Sequence, residues 1–577
     1  MDKESFVWKV AGAAGEGIMT TGLLLSKTFA RSGWHVFDYS EYPSLIRGGT
    51  NTYQVHASKF PVYCQSSRID LLVAINKDGL EKHLGEIDQG SIVLYDKEDD
   101  KIEINKYQIT GKTFNLPMVR LAKEFGGKEV MGNNVALGAS VYLLGLDISL
   151  LDEVINDVFS NKGKNVVELN QKAAHAGYDY LKARIPQIPP LTKGQSQFLT
   201  MTGNEAISLG SLAGGLQFYA AYPMTPASSI LHYLAEKAKD AGIVVKHAED
   251  EISAVNMALG ASFAGTRAMV ATSGGGFCYM VEALGLAGIA ELPLVIVEAM
   301  RPGPALGMPT WTAQGDLKFI LNAGNGEFPR FVLAPGDALE AFDLARRAQE
   351  LAEKYQTPVI LVSDKHLSES RYSLKLETSI FINRRYGFSQ NPKQGQNDAY
   401  PRYLLNDSNI SDRTVPGIIG GTHIANSYTH NQYGLSSEES NESKSQVDKL
   451  FQKLEKMRLE IPQQFWEVEP NSQITFISFG STKGQIKEAK PKLKKENIPI
   501  NMLNLSWLWP FPKEQVRQAI KSSQNVIVVE GNSQGQLADL ITQETGIIIK
   551  NRLNRYDGRP FYVEDIVDYA KKLTKNA

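Results

Sequence analysis

Short apolar runs separated by helix-like stretches recur along this 577-residue chain, and that alternation constrains its fold more than any other feature. Apolar runs this short suit buried strands, and strands that alternate with helices build α/β layers. The runs fall into three groups. The first holds Phe6–Ala11, Trp34–Phe37, Leu71–Ile75 and Ser91–Leu94, and the second holds Ala268–Thr272, Leu292–Glu298, Phe331–Ala334 and Pro358–Ser363. Ile474–Phe479, Ile500–Leu505 and Val526–Glu530 make the third. A chain of this length is too long for one core, so the expected fold class is α/β in three α/β domains.

Punctuation sets the boundaries. The first domain, 1–185, ends where Ile185-Pro-Gln-Ile-Pro-Pro190 fixes φ at three prolines and withholds backbone donors, which predicts a linker over 186–202. The second domain spans 203–370, with Asp337 as the N-cap of a helix running to about Tyr355. Periodicity then disappears over 371–460, an irregular covering segment. Its stretch 436–444 is polar enough to be a flexible tip before a helix at Val447–Met457. The third domain is 461–577.

Composition removes several classes of function. Lys and Arg total 61 against 63 Asp and Glu, a net charge of −2 that gives no global field for nucleic acid or an anionic membrane. Cys64 and Cys278 are the only cysteines, which excludes a disulfide framework, a cysteine-rich zinc site and a four-thiolate iron–sulfur cluster held by this chain alone. His423 and His430 stand seven apart without a third ligand, so no metal is expected here. The charged start Met-Asp-Lys-Glu-Ser lacks a signal-peptide pattern and no 18-residue uncharged stretch follows, so the cytoplasm is the expected compartment.

Four motifs in the middle of the chain carry chemistry. Ala248-Glu-Asp-Glu251 opens a helix of small residues; read alone, such acids cap a helix and are worth about 0.3–1 kcal/mol. Tyr222-Pro-Met-Thr-Pro226 reads alone as a proline turn before a helix. Thr272-Ser-Gly-Gly-Gly276 follows a strand, and Arg301-Pro-Gly-Pro-Ala-Leu-Gly-Met-Pro-Thr-Trp311 opens a long loop. Taken together, with Gly260 nine residues after Glu251, they resemble the pyrimidine-binding domain of thiamine-diphosphate enzymes, and in particular the 2-oxoacid:ferredoxin oxidoreductases. The resemblance implies that Glu251 is catalytic and holds N1′ of the cofactor's aminopyrimidine, with Ser273 and Gly274 beside the cofactor. It implies that Tyr222 and Thr225 orient the substrate carboxylate and that Trp311 lines the substrate. Many relatives carry Lys or Arg at the Trp311 position; an indole cannot pair with a second carboxylate, so acids with small or apolar tails are expected.

At the N-terminus, Gly12-Ala-Ala-Gly-Glu-Gly17 sits between a strand and a helix, as a dinucleotide-binding loop would. Asp38 arrives late for the ribose-binding acid of that motif. With Ser44-Leu-Ile-Arg47-Gly-Gly49, the loop instead resembles the gamma domain of the same oxidoreductases, which implies coenzyme A contacts at Gly12, Gly15, Gly17 and Arg47. Plain turn chemistry is an equal reading for each glycine. Tyr556-Asp-Gly-Arg-Pro-Phe561, with other motifs after residue 478, resembles a transketolase-C-like domain II, implying roles in folding and assembly.

The chain has no Gly-Asp-Gly and no Cys-x-x-Cys. The resemblance therefore implies a beta subunit carrying the Mg²⁺–diphosphate site and a [4Fe–4S] cluster, in an αβ or (αβ)₂ assembly that reduces ferredoxin. The implied reaction converts a 2-oxoacid and coenzyme A to acyl-CoA and carbon dioxide. Two other classes remain as alternatives: a non-redox transketolase-type subunit, and a catalytically silent nucleotide-binding assembly subunit.

Overall fold

The computed structural model describes residues 4–45, 48–98, 102–186, 198–375, 381, 383–389, 391–392, 395 and 399–575. They divide into two compact units, residues 1–202 with 369–377, and residues 203–368 with 378–577.

The first unit is built on an eight-stranded sheet, ordered β6-β5-β4-β1-β3-β2-β14-β7. Its strands are β1 (Ser5–Ala13), β2 (His35–Glu41), β3 (Thr50–Ser58), β4 (Ile69–Ala74), β5 (Ile87–Tyr95), β6 (Lys112–Asn115), β7 (Leu199–Thr202) and β14 (Arg371–Leu374). The four apolar runs expected here are the cores of β1, β2, β4 and β5. β3 carries no such run. Its Tyr53, Val55 and Ala57 enter the core beside Trp8, Phe29 and Trp34, while the alternate residues Thr52, Gln54 and His56 are polar and also buried. These are satisfied locally: Gln54 exchanges hydrogen bonds with the backbone of Ser66 at 2.8 and 3.0 Å, His56 Nδ1 meets the Cys64 carbonyl at 2.9 Å, and Thr52 Oγ1 meets His83 Nε2 at 2.9 Å.

Two segments expected to be irregular belong to this sheet. Residues 199–202, assigned to the linker, form β7, and residues 371–374, assigned to the covering segment, form β14. The two pair antiparallel, and Arg371 and Tyr372 of β14 also pair with Asp38 and Phe37 of β2. Four-residue strands leave too short a pattern to read, and backbone pairing with a buried neighbour supplies the ordering. Residues 187–197 of the linker lie outside the described residues.

The second unit contains a seven-stranded sheet, ordered β18-β12-β13-β11-β10-β8-β9, and a five-stranded sheet, ordered β15-β17-β16-β19-β20. The larger comprises β8 (Phe218–Ala221), β9 (Val244–His247), β10 (Ala268–Thr272), β11 (Leu294–Met300), β12 (Phe331–Leu333), β13 (Pro358–Asp364) and β18 (Trp507–Trp509); it is parallel except at β18. The smaller comprises β15 (Phe465–Glu467), β16 (Ile474–Phe479), β17 (Ile500–Leu505), β19 (Asn525–Glu530) and β20 (Asn551–Asn554). One apolar cluster runs through both sheets, joining Val270, Ile296 and Ile360 to Ile477, Leu503 and Val528. Asp337 caps the helix Ala338–Tyr355, accepting from Glu340 N at 3.0 Å.

The covering segment is anchored by buried charge. Glu353, 1% exposed, pairs with Arg267 and with Arg385 and Arg413 of that segment. Glu291 pairs with Lys449 and Lys453 of the helix Ser440–Arg458. That helix starts within the stretch expected to be a flexible tip. Glu442 in its first turn favours the helix dipole, and the two buried lysines tie down the turns that follow.

No helix among the described residues is long and apolar enough to cross a membrane.

Candidate active site

In an open parallel sheet, ligands bind outside the carboxyl ends of the strands where the strand order reverses. Here β8 comes first in sequence and lies between β9 and β10, so the reversal falls at β8. Tyr222-Pro-Met-Thr-Pro226 follows β8, Glu251 follows β9, Ser273-Gly-Gly-Gly276 follows β10, and the loop from Arg301 follows β11. All four motifs therefore share one edge of one sheet.

The acidic helix start divides its labour. Asp250 is the N-cap of the helix Glu251–Phe263, accepting from Ser253 N at 2.6 Å. Glu251 is thus relieved of capping. Its carboxylate turns toward the next turn of chain, so close that a Cβ on Gly276 would lie 2.5 Å from Glu251 Oε1 and 2.1 Å from Thr272 Oγ1. Glu251 is 7% exposed and meets no side-chain donor among the described residues. Burial raises its pKa, its own backbone amide opposes that, and the Asp250 charge adds to it. A buried carboxylate with no side-chain donor is costly, and it fits a group that brings a hydrogen-bond partner.

The other motifs close around it. A Cβ on Gly275 would lie 3.3 Å from Met224 Cε and 3.5 Å from the Ala305 carbonyl, which brings the turns after β8, β10 and β11 together. Asn204 fixes the turn after β8, donating to the Pro226 carbonyl at 2.7 Å and to Ser229 Oγ at 2.8 Å. Arg301 donates to the Thr225 carbonyl at 2.7 Å. Tyr222 is exposed, Thr225 is half-buried, and Ser273 is fully buried with an Oγ that has no hydrogen-bond partner.

An acid pair lies beneath. Glu298, on β11 in register with Thr272, is wholly buried, and neither of its carboxyl oxygens has a hydrogen-bond partner among the described residues; the carboxylate of nearby Asp316 sits 2.5 Å from where a Cβ on Gly274 would be. Burial raises Glu298 well above the usual carboxylate range, with Asp316 and Asp364 adding to it, and raises Asp316 to about 6. Glu298 is therefore the acid of the two that burial pushes hardest toward its protonated form. Its only sequence signal was an acid closing the apolar run Leu292–Glu298.

Trp311 is half-buried, and the Arg559 guanidinium stacks on it, 3.3 Å from the ring centroid. The motif containing Arg559 carried only folding and assembly implications in the sequence.

In the first unit, Gly12 is the last residue but one of β1, and Gly17 precedes the helix Ile18–Arg31 in the left-handed conformation. The loop holds an anion of its own: Glu16 accepts from Ala13 N at 2.5 Å and from Asn76 at 3.1 Å. Gly12 and Gly17 are hemmed in by Glu16, Ile18, Ile75 and Asn133, whereas Gly15, at φ +94, faces open space. Asp38 lies buried on β2 and accepts from Tyr53 at 2.7 Å, turned away from any ribose role. Arg47 lies outside the described residues.

Residues 7–180 match the pyruvate ferredoxin/flavodoxin oxidoreductase family. Residues 209–449 match the pyruvate flavodoxin/ferredoxin oxidoreductase thiamine-diphosphate-binding family, and 472–566 match pyruvate:ferredoxin oxidoreductase core domain II. A 2-oxoacid:ferredoxin oxidoreductase subunit alpha from Sulfolobus sp is 31% identical, covering 99% of this chain and 97% of that one. The 2-oxoglutarate oxidoreductase subunit KorA of Mycobacterium tuberculosis is 27% identical, covering 98% of this chain and 90% of that one. Among solved structures, the 2-oxoglutarate:ferredoxin oxidoreductase from Magnetococcus marinus, with 2-oxoglutarate, coenzyme A and succinyl-CoA bound, superposes with a TM-score of 0.91 at 33% identity over 99% of both chains. With this likeness extending through every strand that builds the site, the chain belongs to the 2-oxoacid:ferredoxin oxidoreductase family.

Proposed function

We propose that this chain is the alpha subunit of a complex that oxidatively decarboxylates a 2-oxoacid, forming acyl-CoA and carbon dioxide and passing two electrons to ferredoxin. The observation that carries this reading is Glu251, a buried carboxylate freed from capping by Asp250 and aimed at the edge where four motifs meet.

Bound thiamine diphosphate supplies the nucleophilic carbon and the electron sink for loss of carbon dioxide. Glu251 would hold it at N1′ of the aminopyrimidine, and a pKa raised by burial would suit a carboxyl that exchanges a proton there. Ser273, with its orphaned Oγ, and Gly274 line the same edge. Tyr222 and Thr225, on a turn fixed by Asn204, orient the substrate carboxylate. In this reading the N-terminal 1–185 serves as the gamma domain, 203–370 as the pyrimidine domain and 461–577 as the transketolase-C-like domain. Coenzyme A is the acyl acceptor, contacted by the 12–17 loop on its open Gly15 side and by Arg47.

A beta subunit completes the site with Mg²⁺, the diphosphate contacts and a [4Fe–4S] cluster, in an αβ or (αβ)₂ assembly. The support is cysteine arithmetic and the missing Gly-Asp-Gly. The same scarcity of cysteine supports a cytoplasmic complex. A catalytically silent subunit would have no use for a buried, unpaired Glu251.

Glu251→Gln should leave the complex assembled and lower turnover on the order of 100-fold or more, because it removes the ionisable group and keeps the shape. Glu249→Gln, at an exposed position, should do far less. Equal losses in the two variants would overturn the assignment.

A further inference from the structure

The loop after β11 leaves the site at Arg301, bonded to Thr225, and returns to it at Asp316, packed on Gly274. Trp311 lies between those two anchors, and the C-terminal turn 556–561 is tied to it. Thr312 N donates to the Gly558 carbonyl at 3.1 Å, and Gly558, at φ +79, leaves no room for a side chain: a Cβ there would lie 2.6 Å from Met308 Cε and 3.3 Å from Trp311 Cβ. This close approach lays Arg559 on the indole.

Face-on stacking uses the π surface of a guanidinium and leaves its in-plane N–H donors free. The Arg559 guanidinium has no carboxylate partner among the described residues: the neighbouring Asp557 carboxylate accepts from Arg555 at 3.1 Å on both oxygens and from the Arg559 backbone N at 2.9 Å, and the guanidinium reaches only the Asp557 carbonyl, at 3.4 Å. A half-buried cation, held flat with its fork unpaired on the loop that rims the site, matches the planar bidentate geometry of a carboxylate.

We infer that Arg559, oriented by Trp311, receives the distal carboxylate of a dicarboxylic 2-oxoacid and so sets the substrate class of the site. The inference rests on the proposed function above. It reverses the expectation drawn from Trp311 alone, since the cation absent from position 311 is supplied by the C-terminal turn. The indole orients the fork in place of a Lys or Arg side chain.

The test measures kcat/KM of the assembled complex for 2-oxoglutarate and for pyruvate, with coenzyme A and ferredoxin. Wild type should prefer 2-oxoglutarate. Arg559→Met keeps the apolar stem and should lower kcat/KM for 2-oxoglutarate on the order of 10- to 100-fold more than for pyruvate. Arg559→Lys, a charge without the fork, should recover part of that difference. A wild-type preference for pyruvate, or equal losses for both acids in Arg559→Met, overturns the role of Arg559 and leaves the enzyme assignment standing. Turnover of neither acid by the wild-type complex overturns the proposed function itself.

Discussion

At the scale of single residues, the structure separates acids that the sequence shows only as Asp and Glu. Asp38 is buried, and burial raises its pKa to about 7, against hydrogen bonds and the Arg371 charge, which lower it. Because the folded value lies above the unfolded 3.8, the protonated form is favoured on folding. That stabilisation is fully present below about 3.8 and is lost as pH rises through about 7. Asp38→Asn should therefore flatten the fall in Tm between those limits, measured by calorimetry on the full chain. An unchanged slope would show that Asp38 does not titrate there. That Glu251, Tyr222, Thr225 and Ser273 lie at one edge of one sheet was legible because each belongs to a contiguous motif. Arg559 and the Glu298–Asp316 pair were not: their roles come from contacts between residues 18 to 248 positions apart, which no local pattern records.

Between elements, close approach decides what each glycine does. Gly276 must stay small, because its Cβ would strike Thr272 and Glu251. Gly276→Ala should displace the carboxylate and cost activity well beyond any loss of stability, read as kcat against Tm. Gly260, also in a helix interior, has nothing within 4 Å, so Gly260→Ala should stabilise the isolated chain by about 0.5–1 kcal/mol. Glu353 is the opposite kind of site. Removing it leaves Arg267 and Arg413 buried without a carboxylate, and Glu353→Ala should cost about 3–5 kcal/mol in denaturant unfolding. Period and length made the apolar strands β1, β10, β16 and β17 readable in advance. β3 escaped because both of its faces are buried, one by apolar side chains and one by polar side chains satisfied by the 64–66 stretch.

For the whole molecule, cysteine content sets the division of labour between subunits. With Cys64 buried in the first unit and Cys278 exposed in the second, the isolated chain should be colourless and free of stoichiometric iron and sulfide. The complex with its partner should be brown, and metal analysis of both preparations checks the contrast. The three-group pattern of strands was legible, but the way the chain is threaded was not. Residues 203–368 are an insertion between two strands, β7 and β14, that lie side by side and complete the first unit's sheet. An insertion whose ends emerge from neighbouring strands needs no long connectors, which favours shuffling such a block between related genes. A chain cut at residue 185, however, would lack both strands and expose the edge of β2 at Phe37 and Asp38, a template for intermolecular pairing. Recombinants between homologous genes should thus stay soluble only when 199–202 and 371–374 are inherited from the same parent as 1–185.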